Sequence, residues 1–411
     1  MMTAITLISP GTALGQTSVR PSLALSERYD SNVFFGVVGP GVTKEDWVTN
    51  VSPQVTLAHK GRQVDWSING GITAETYVNN TGLNYVGVNG GGSLELDRLV
   101  QKYVTGSKLR ITEGLLYTPQ LPNFLAPVDP DGPPSAQGDV VRGIQAARAN
   151  SFTTLTAVTG SAPLTSHTTM NASYSYSALR FGRQYAQYGS SSAGASFFNT
   201  TYHSATIGVT EAITGRDFAG LGYQYTFSQF SGGNVGAGAD YGVHSGFATY
   251  TRLITPYLTT SATAGMLVLP PQFPGGATTL NYTLSGGLTY RVERTNYSLT
   301  YSRGIFPAIG VGAVPSVSQT FIASASRPIT ASLSGTLTLN YGYAESQPSG
   351  VFDYTAKGAS AALSYIIETN AARTITASAS YTYQDYEQTF RNVGFQFDRS
   401  MAMLLIRGAW N

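Results

Sequence analysis

The 411-residue chain contains no cysteine, which removes disulfides, thiolate metal sites and cysteine nucleophiles together. Charge is scarce as well: Asp, Glu, Lys and Arg make up 11% of the residues, against about 25% in a typical soluble domain. A surface built from such a chain is poorly covered in water. The net charge of +2 has no basic cluster behind it, so nothing points to a nucleic-acid partner. Long apolar runs are also missing. With no stretch of 18 or more predominantly apolar residues, a helical membrane span is excluded while alternating strands are not. The four histidines, His59, His167, His203 and His244, lie in different hairpins without a companion at metal-ligand spacing, and read as solvated rim residues. Gly90-Gly91-Gly92 and Gly232-Gly233 lack the strand, helix and lysine context of a phosphate-binding loop. Serine is so abundant that its presence does not mark a nucleophile. The chain therefore offers no catalytic residue, no metal site and no cofactor site.

What the chain does have is a period of two. Leu280, Tyr282, Leu284, Gly286, Leu288, Tyr290 and Val292 alternate with Asn281, Thr283, Ser285, Gly287, Thr289 and Arg291, giving one apolar and one wet face. The pattern recurs near 18–30, 46–58, 63–77, 84–96, 101–117, 150–161, 166–181, 198–212 and 217–230, and again near 240–253, 257–269, 278–292, 295–306, 316–327, 331–344, 351–367, 371–386 and 392–410. These segments predict an all-β chain, a transmembrane antiparallel β-barrel of about 18 strands, with lipid outside, water inside and no free edge. The 26 tyrosines suit the two membrane interfaces, where the ring is half buried and the hydroxyl stays wet.

Connection lengths give a second sign. After the first, third, fifth and seventh strands come long loops, and after the second, fourth, sixth and eighth come tight turns. Short turns face the periplasm in such barrels, and an even strand number puts both termini on that side. The turns Ala162-Pro163-Leu164-Thr165, Ala212-Ile213-Thr214, Leu253-Ile254-Thr255-Pro256 and Arg327-Pro328-Ile329-Thr330 resemble one another and imply a hairpin repeat. A propeller would share that period, but its buried strands would not carry so many Ser and Thr on one face.

Residues 1–16 read as the remnant of a secretory signal, with Ala4, Ile5, Leu7 and Ile8 apolar and Ala13-Leu14-Gly15 as the small-residue site, though without a basic start. Residues 17–411 then form a single barrel destined for a bacterial outer membrane. Its last strand, counted back from Trp410, puts Gly408, Ile406, Leu404 and Ala402 toward lipid. The third external loop, 118–150, is proline-rich, and either folds into the lumen or caps the surface. Its Asp129-Pro130-Asp131-Gly132 tip lacks the alternating carboxylates of a calcium loop and reads as a turn.

The candidate lining of the lumen follows from the wet face: Arg20, Arg28, Asp65, Asn69, Lys108, Arg110, Asn281, Arg291, Asn340 and Gln384. Around them the inward residues are small and neutral, as in Ser332, Ser334, Thr336 and Thr338. Six sparse charges do not make the arginine ladder that an anionic polymer needs, and each could instead sit at the rim or brace the wall. Glu27, Glu113 and Arg303 fall on the lipid side of this register, which requires a bulge, a rim position or a register error.

The segment Leu25-Ser26-Glu27-Arg28-Tyr29-Asp30-Ser31-Asn32-Val33-Phe34 resembles the opening of outer-membrane β-barrel porins found with bacterial exopolysaccharide loci. The resemblance implies a barrel that passes a secreted polysaccharide across the outer membrane beside a periplasmic export protein. It assigns no residue a role. From the residues alone the expected class is a channel for neutral or weakly charged sugars. A general diffusion porin is the nearest alternative, and a non-conducting sheath for a periplasmic or electron-carrying partner is another. An enzyme is not expected.

Overall fold

The computed structural model describes residues 16–34, 43–118, 149–184, 199–232, 240–271, 277–307, 315–347, 349–350, 352–390 and 393–410. Of the signal remnant read at 1–16 and the third loop read at 118–150, residues 1–15 and 119–148 lie outside them, while Gln16, Thr118 and Ala149–Asn150 belong to strands. Strands run in chain order as β1 Gln16–Asp30, β2 Asp46–Lys60, β3 Asp65–Tyr77, β4 Tyr85–Glu95, β5 Lys108–Thr118 and β6 Ala149–Pro163. Then come β7 Thr168–Gln184, β8 Asn199–Ala212, β9 Asp217–Ser231, β10 Tyr241–Thr255, β11 Leu258–Leu269 and β12 Thr279–Val292. The last six are β13 Thr295–Pro307, β14 Pro315–Pro328, β15 Leu333–Ser346, β16 Phe352–Thr369, β17 Arg373–Phe390 and β18 Val393–Trp410. Every strand pairs antiparallel with its sequence neighbours, and β1 also pairs with β18, so the 18-stranded sheet closes and has no edge.

Closure turns the period of two into an inside and an outside. Leu221, Leu404, Leu280 and Met266 stay 72%, 66%, 64% and 62% exposed. Large apolar side chains left this bare all round a closed wall have hydrocarbon as their solvent. Two aromatic belts bound the band. Trp66, Tyr250, Tyr290, Tyr297, Tyr365 and Trp410 lie near the end where β1 begins and β18 ends, and Tyr29, Trp47, Tyr282 and Tyr341 near the other, the loop end. Tyr282 and Tyr290 on β12 are about 26 Å apart along a strand rising ~3.3 Å per residue, or roughly 20 Å of height at a tilt of 35–45°. That is the scale of a bilayer core.

The tight turns share a side-chain device. Thr165 Oγ1 accepts from the amides of His167 and Thr168 at 3.1 and 2.9 Å, and Thr214 Oγ1 from Arg216 and Asp217 at 3.1 and 3.0 Å. Thr330 Oγ1 does the same for Ser332 and Leu333 at 3.2 and 3.0 Å. The repeat seen in the sequence is thus a hydroxyl supplying the acceptor that a two-stranded turn leaves missing. Thr330→Ala should cost about 1 kcal/mol and Thr330→Asn less than half of that, read as urea midpoints of the refolded protein.

The structure corrects several expectations. β5 begins at Lys108, not near 101: a short helix, α1 Asp97–Val100, and a turn through Gly106 (φ 81°) occupy the connection. The alternation of Gln101-Lys102-Tyr103-Val104 mimics a strand, but Asp97 Oδ1 takes the amide of Leu109 at 2.9 Å and closes the turn instead. Long and short connections therefore do not alternate strictly, since this one outruns the 78–84 loop at the opposite end. Glu27 and Glu113 need neither bulge nor rim. Both face outward in regular ladders, held by Thr49 Oγ1 at 2.7 Å and Thr156 Oγ1 at 2.5 Å on the next strand. His203 and His244 have tyrosine partners: each Nδ1 pairs with an outward hydroxyl, of Tyr174 at 2.8 Å and Tyr223 at 2.6 Å. His59 bonds Thr17 at 2.8 Å and stacks on Trp66 in the belt at the terminal end.

Candidate channel lining

The strand register puts all ten candidate residues on the inward face, but it gives them different environments. Asn340, Gly358, Gln384 and Arg399 are direct register partners across β15 to β18, one continuous row of the inner wall. Glycine at 358 leaves room for the Asn340 amide, which lies where a Cβ would stand and would have to move for any other residue. Gln384 is buried in this row, so it does not line open space.

The row leads into a buried ion cluster. Arg399 grips Asp30 through two bonds, Nε to Oδ1 at 2.9 Å and Nη2 to Oδ2 at 2.5 Å. Arg28 lies 3.8 Å from Asp30 and 3.3 Å from Glu75, which also accepts from Tyr77 Oη at 2.9 Å and Asn50 Nδ2 at 3.2 Å. Asp30, Glu75 and Arg399 are 1%, 5% and 5% exposed. A fork-shaped guanidinium on a carboxylate fixes geometry as well as charge. The cluster ties β18, β1 and β3 together at the place where the barrel closes. Nearby, Asp46 accepts from the amides of Val78, Asn79 and Asn80 at 3.0, 2.9 and 2.7 Å, and pins the β3–β4 loop to the rim.

Sequence reasoning chose Arg28 here, met Asp30 only within the segment 25–34, and missed Arg399 and Glu75. The signal was present: counting back from outward Trp410 puts Arg399 on the opposite, inward face. Arg407, inward and exposed, was missed in the same way.

At the terminal end the lining is wetter. Asp65 holds Arg98 at 3.5 Å and the amide of Gly61 at 3.0 Å, so it braces the β2–β3 turn. Arg20 is exposed, and Arg291 is held by Asn296 Oδ1 at 2.8 Å. Lys108, Arg110, Glu95 and Asp97 border an open cavity of about 630 Å³ whose wall mixes hydroxyls and amides such as Thr159, Ser161, Asn171 and Thr206 with apolar Val209, Leu221 and Phe247. Asn69 sits inward in the neutral belt between the two ends, opposite Gly91. Asn281 is not free: its Oδ1 takes Arg303 Nη1 at 2.8 Å.

The inner wall thus segregates its charges. Those at the loop end neutralise one another and are buried, those at the terminal end are few and mixed, and hydroxyls and amides fill the belt between. Such a lining can hydrogen-bond a hydrated neutral solute without holding it. Among the described residues no group of three His, Asp or Glu side chains is arranged to hold a metal ion.

No protein-family model matches the sequence, and no curated protein matches it significantly. Among solved structures it aligns with the outer-membrane protein opdK of Pseudomonas aeruginosa at 12% identity, over 96% of this chain and 99% of that one, with a TM-score of 0.47. It aligns with OccAB4 of Acinetobacter baumannii at 9% identity, over 96% and 98%, with a TM-score of 0.48. The P. aeruginosa protein OccK2 (OpdF), solved in complex with glucuronate, gives 12%, 95% and 97%, and 0.46. At such identity the likeness assigns no residue of this chain a role.

Proposed function

We propose that the protein is a channel of a bacterial outer membrane for neutral or weakly charged sugars, with both termini in the periplasm. The observation that carries this reading is the pairing of inward charge: Arg399, Asp30, Arg28 and Glu75 satisfy one another, which leaves the belt to Ser, Thr, Asn and Gln. A lining of that kind screens by size and hydration rather than by charge. Arg20, Arg407, Lys108 and Arg291, only partly offset by Asp65 and Glu95, give the terminal mouth a mild preference for anions. Within this class, a secreted exopolysaccharide is the cargo implied by the resemblance of residues 25–34, and a periplasmic export protein is then the partner.

Liposome swelling tests the reading. Vesicles containing the refolded protein should swell in uncharged mono- and disaccharides at rates well above empty vesicles and fall off with larger oligomers. Swelling no faster than empty vesicles would remove the channel and favour a sheath around a periplasmic partner.

A further inference from the structure

The β12–β13 ladder stops at Leu284 and Arg303, although β12 continues up to Thr279 and β13 to Pro307. Above that point β12 pairs with β11, and β13 with β14, but the two do not pair with each other. The wall therefore has a seam at the height of the loop-end belt. Backbone groups left bare in lipid are costly, and here side chains replace the missing ladder. Arg303 Nη1 donates to Tyr282 O at 2.6 Å, Thr283 Oγ1 to Arg303 O at 3.0 Å, and the Tyr282 amide to Asn281 Oδ1 at 2.8 Å.

Arg303 spans this seam. Its guanidinium lies 3.6 Å from the centre of the outward Tyr282 ring, and the same residue borders an inward cavity of about 220 Å³. That cavity is lined by Ser245, Thr263, Ser285 and Ser302 together with Phe247 and Leu267. The Phe247 ring reaches it by lying across Gly222, where a Cβ would collide. The volume equals roughly seven waters of liquid, enough for one ring. Ile305 and Val317 have outward register, yet they are buried with inward Val243, Leu267 and Leu269. Freed from β12, the top of the β13–β14 hairpin leaves the cylinder and leans onto the inner cluster.

We propose that this seam is a lateral passage between the lumen and the membrane for a small uncharged amphipathic solute, with Arg303 as its latch. A hydroxyl-and-aromatic cavity suits one face of such a solute each way, and the seam opens by breaking side-chain bonds rather than a strand ladder. Axial conduction is a separate property, so a silent bilayer recording leaves this proposal standing.

The natural chain has no thiol, so a single introduced cysteine reports cleanly. In nanodiscs carrying a maleimide tethered to a lipid acyl chain, Ser285→Cys beside the seam should react at least about tenfold faster than Ser67→Cys, which is inward on β3, across the barrel. Arg303→Ala should speed Ser285→Cys by about another tenfold, the factor expected when a charge-assisted bond no longer holds an opening shut. A charged water-soluble methanethiosulfonate should label both positions in both backgrounds. Equal lipid-borne rates at the two positions would overturn the passage. If Arg303→Ala does not refold, the contrast in the natural background decides.

Discussion

Arg399→Ala should cost about 3–5 kcal/mol, the usual penalty for removing one partner of a buried ion pair. Asp30 would then keep Arg28, at 3.8 Å, and the Asn32 amide, at 3.1 Å, inside a wall where it is 1% exposed. The loss falls on the seam that closes the barrel, because Asp30 ends β1 and Arg399 lies on β18. Urea midpoints in detergent, converted through the slope of the transition, give the number. Replacing both residues in Asp30→Leu with Arg399→Met should recover most of it, since an apolar pair of similar volume often equals a buried ion pair. A double variant as unstable as the single one would mean that Asp30 serves the loop through its bond to the Asn32 amide more than it serves closure.

The second large effect concerns the outer wall. Leu404 is 66% exposed near the middle of β18, with Trp410 below it in one belt and Tyr29, across β1, above it in the other. Leu404→Arg should destabilise the protein in lipid by about 2–4 kcal/mol, as a cation at the bilayer midplane does on other barrels. Ser378→Arg, inward on β17, should cost well under half of that because water reaches it. The two variants add the same charge to the same wall on opposite faces, and Leu404→Arg also stands opposite Glu27 on β1, so the comparison is made in a Glu27→Gln background. Equal costs there would mean that the face assignment is wrong.

The architecture was legible because lipid enforces period two more strictly than a soluble core does. A residue one position out of phase meets hydrocarbon instead of water, and the β12 alternation shows that rule at full strength. The miss at β5 has the opposite cause. Gln101-Lys102-Tyr103-Val104 lies beyond the belt, where alternation is not enforced, and the pattern there is accidental. Glu27 and Glu113 looked like register errors because one sequence position cannot show that a threonine stands beside it on the next strand. Such partners emerge only from register, and register also separates buried Gln384 from open Arg20. The seam is a stronger case. The β12 and β13 sequences alternate without interruption through Leu284 and Tyr301, and the one sign is the outward register of Arg303, the residue at which the ladder ends; a single position does not show which irregularity it marks.

The account rests most heavily on one property, an open path along the barrel axis with a lining that is neutral over most of its height. Single-channel recording of the refolded protein in a planar bilayer tests it directly. The expected record is a steady conductance with a modest anion preference that fades at high salt, where the Debye length is about 3 Å at 1 M, and with block by added neutral oligosaccharides. A silent bilayer containing protein of full β-sheet content would contradict the account, and strong cation selectivity would contradict the assignment of Arg20, Arg407, Lys108 and Arg291 to the inner wall.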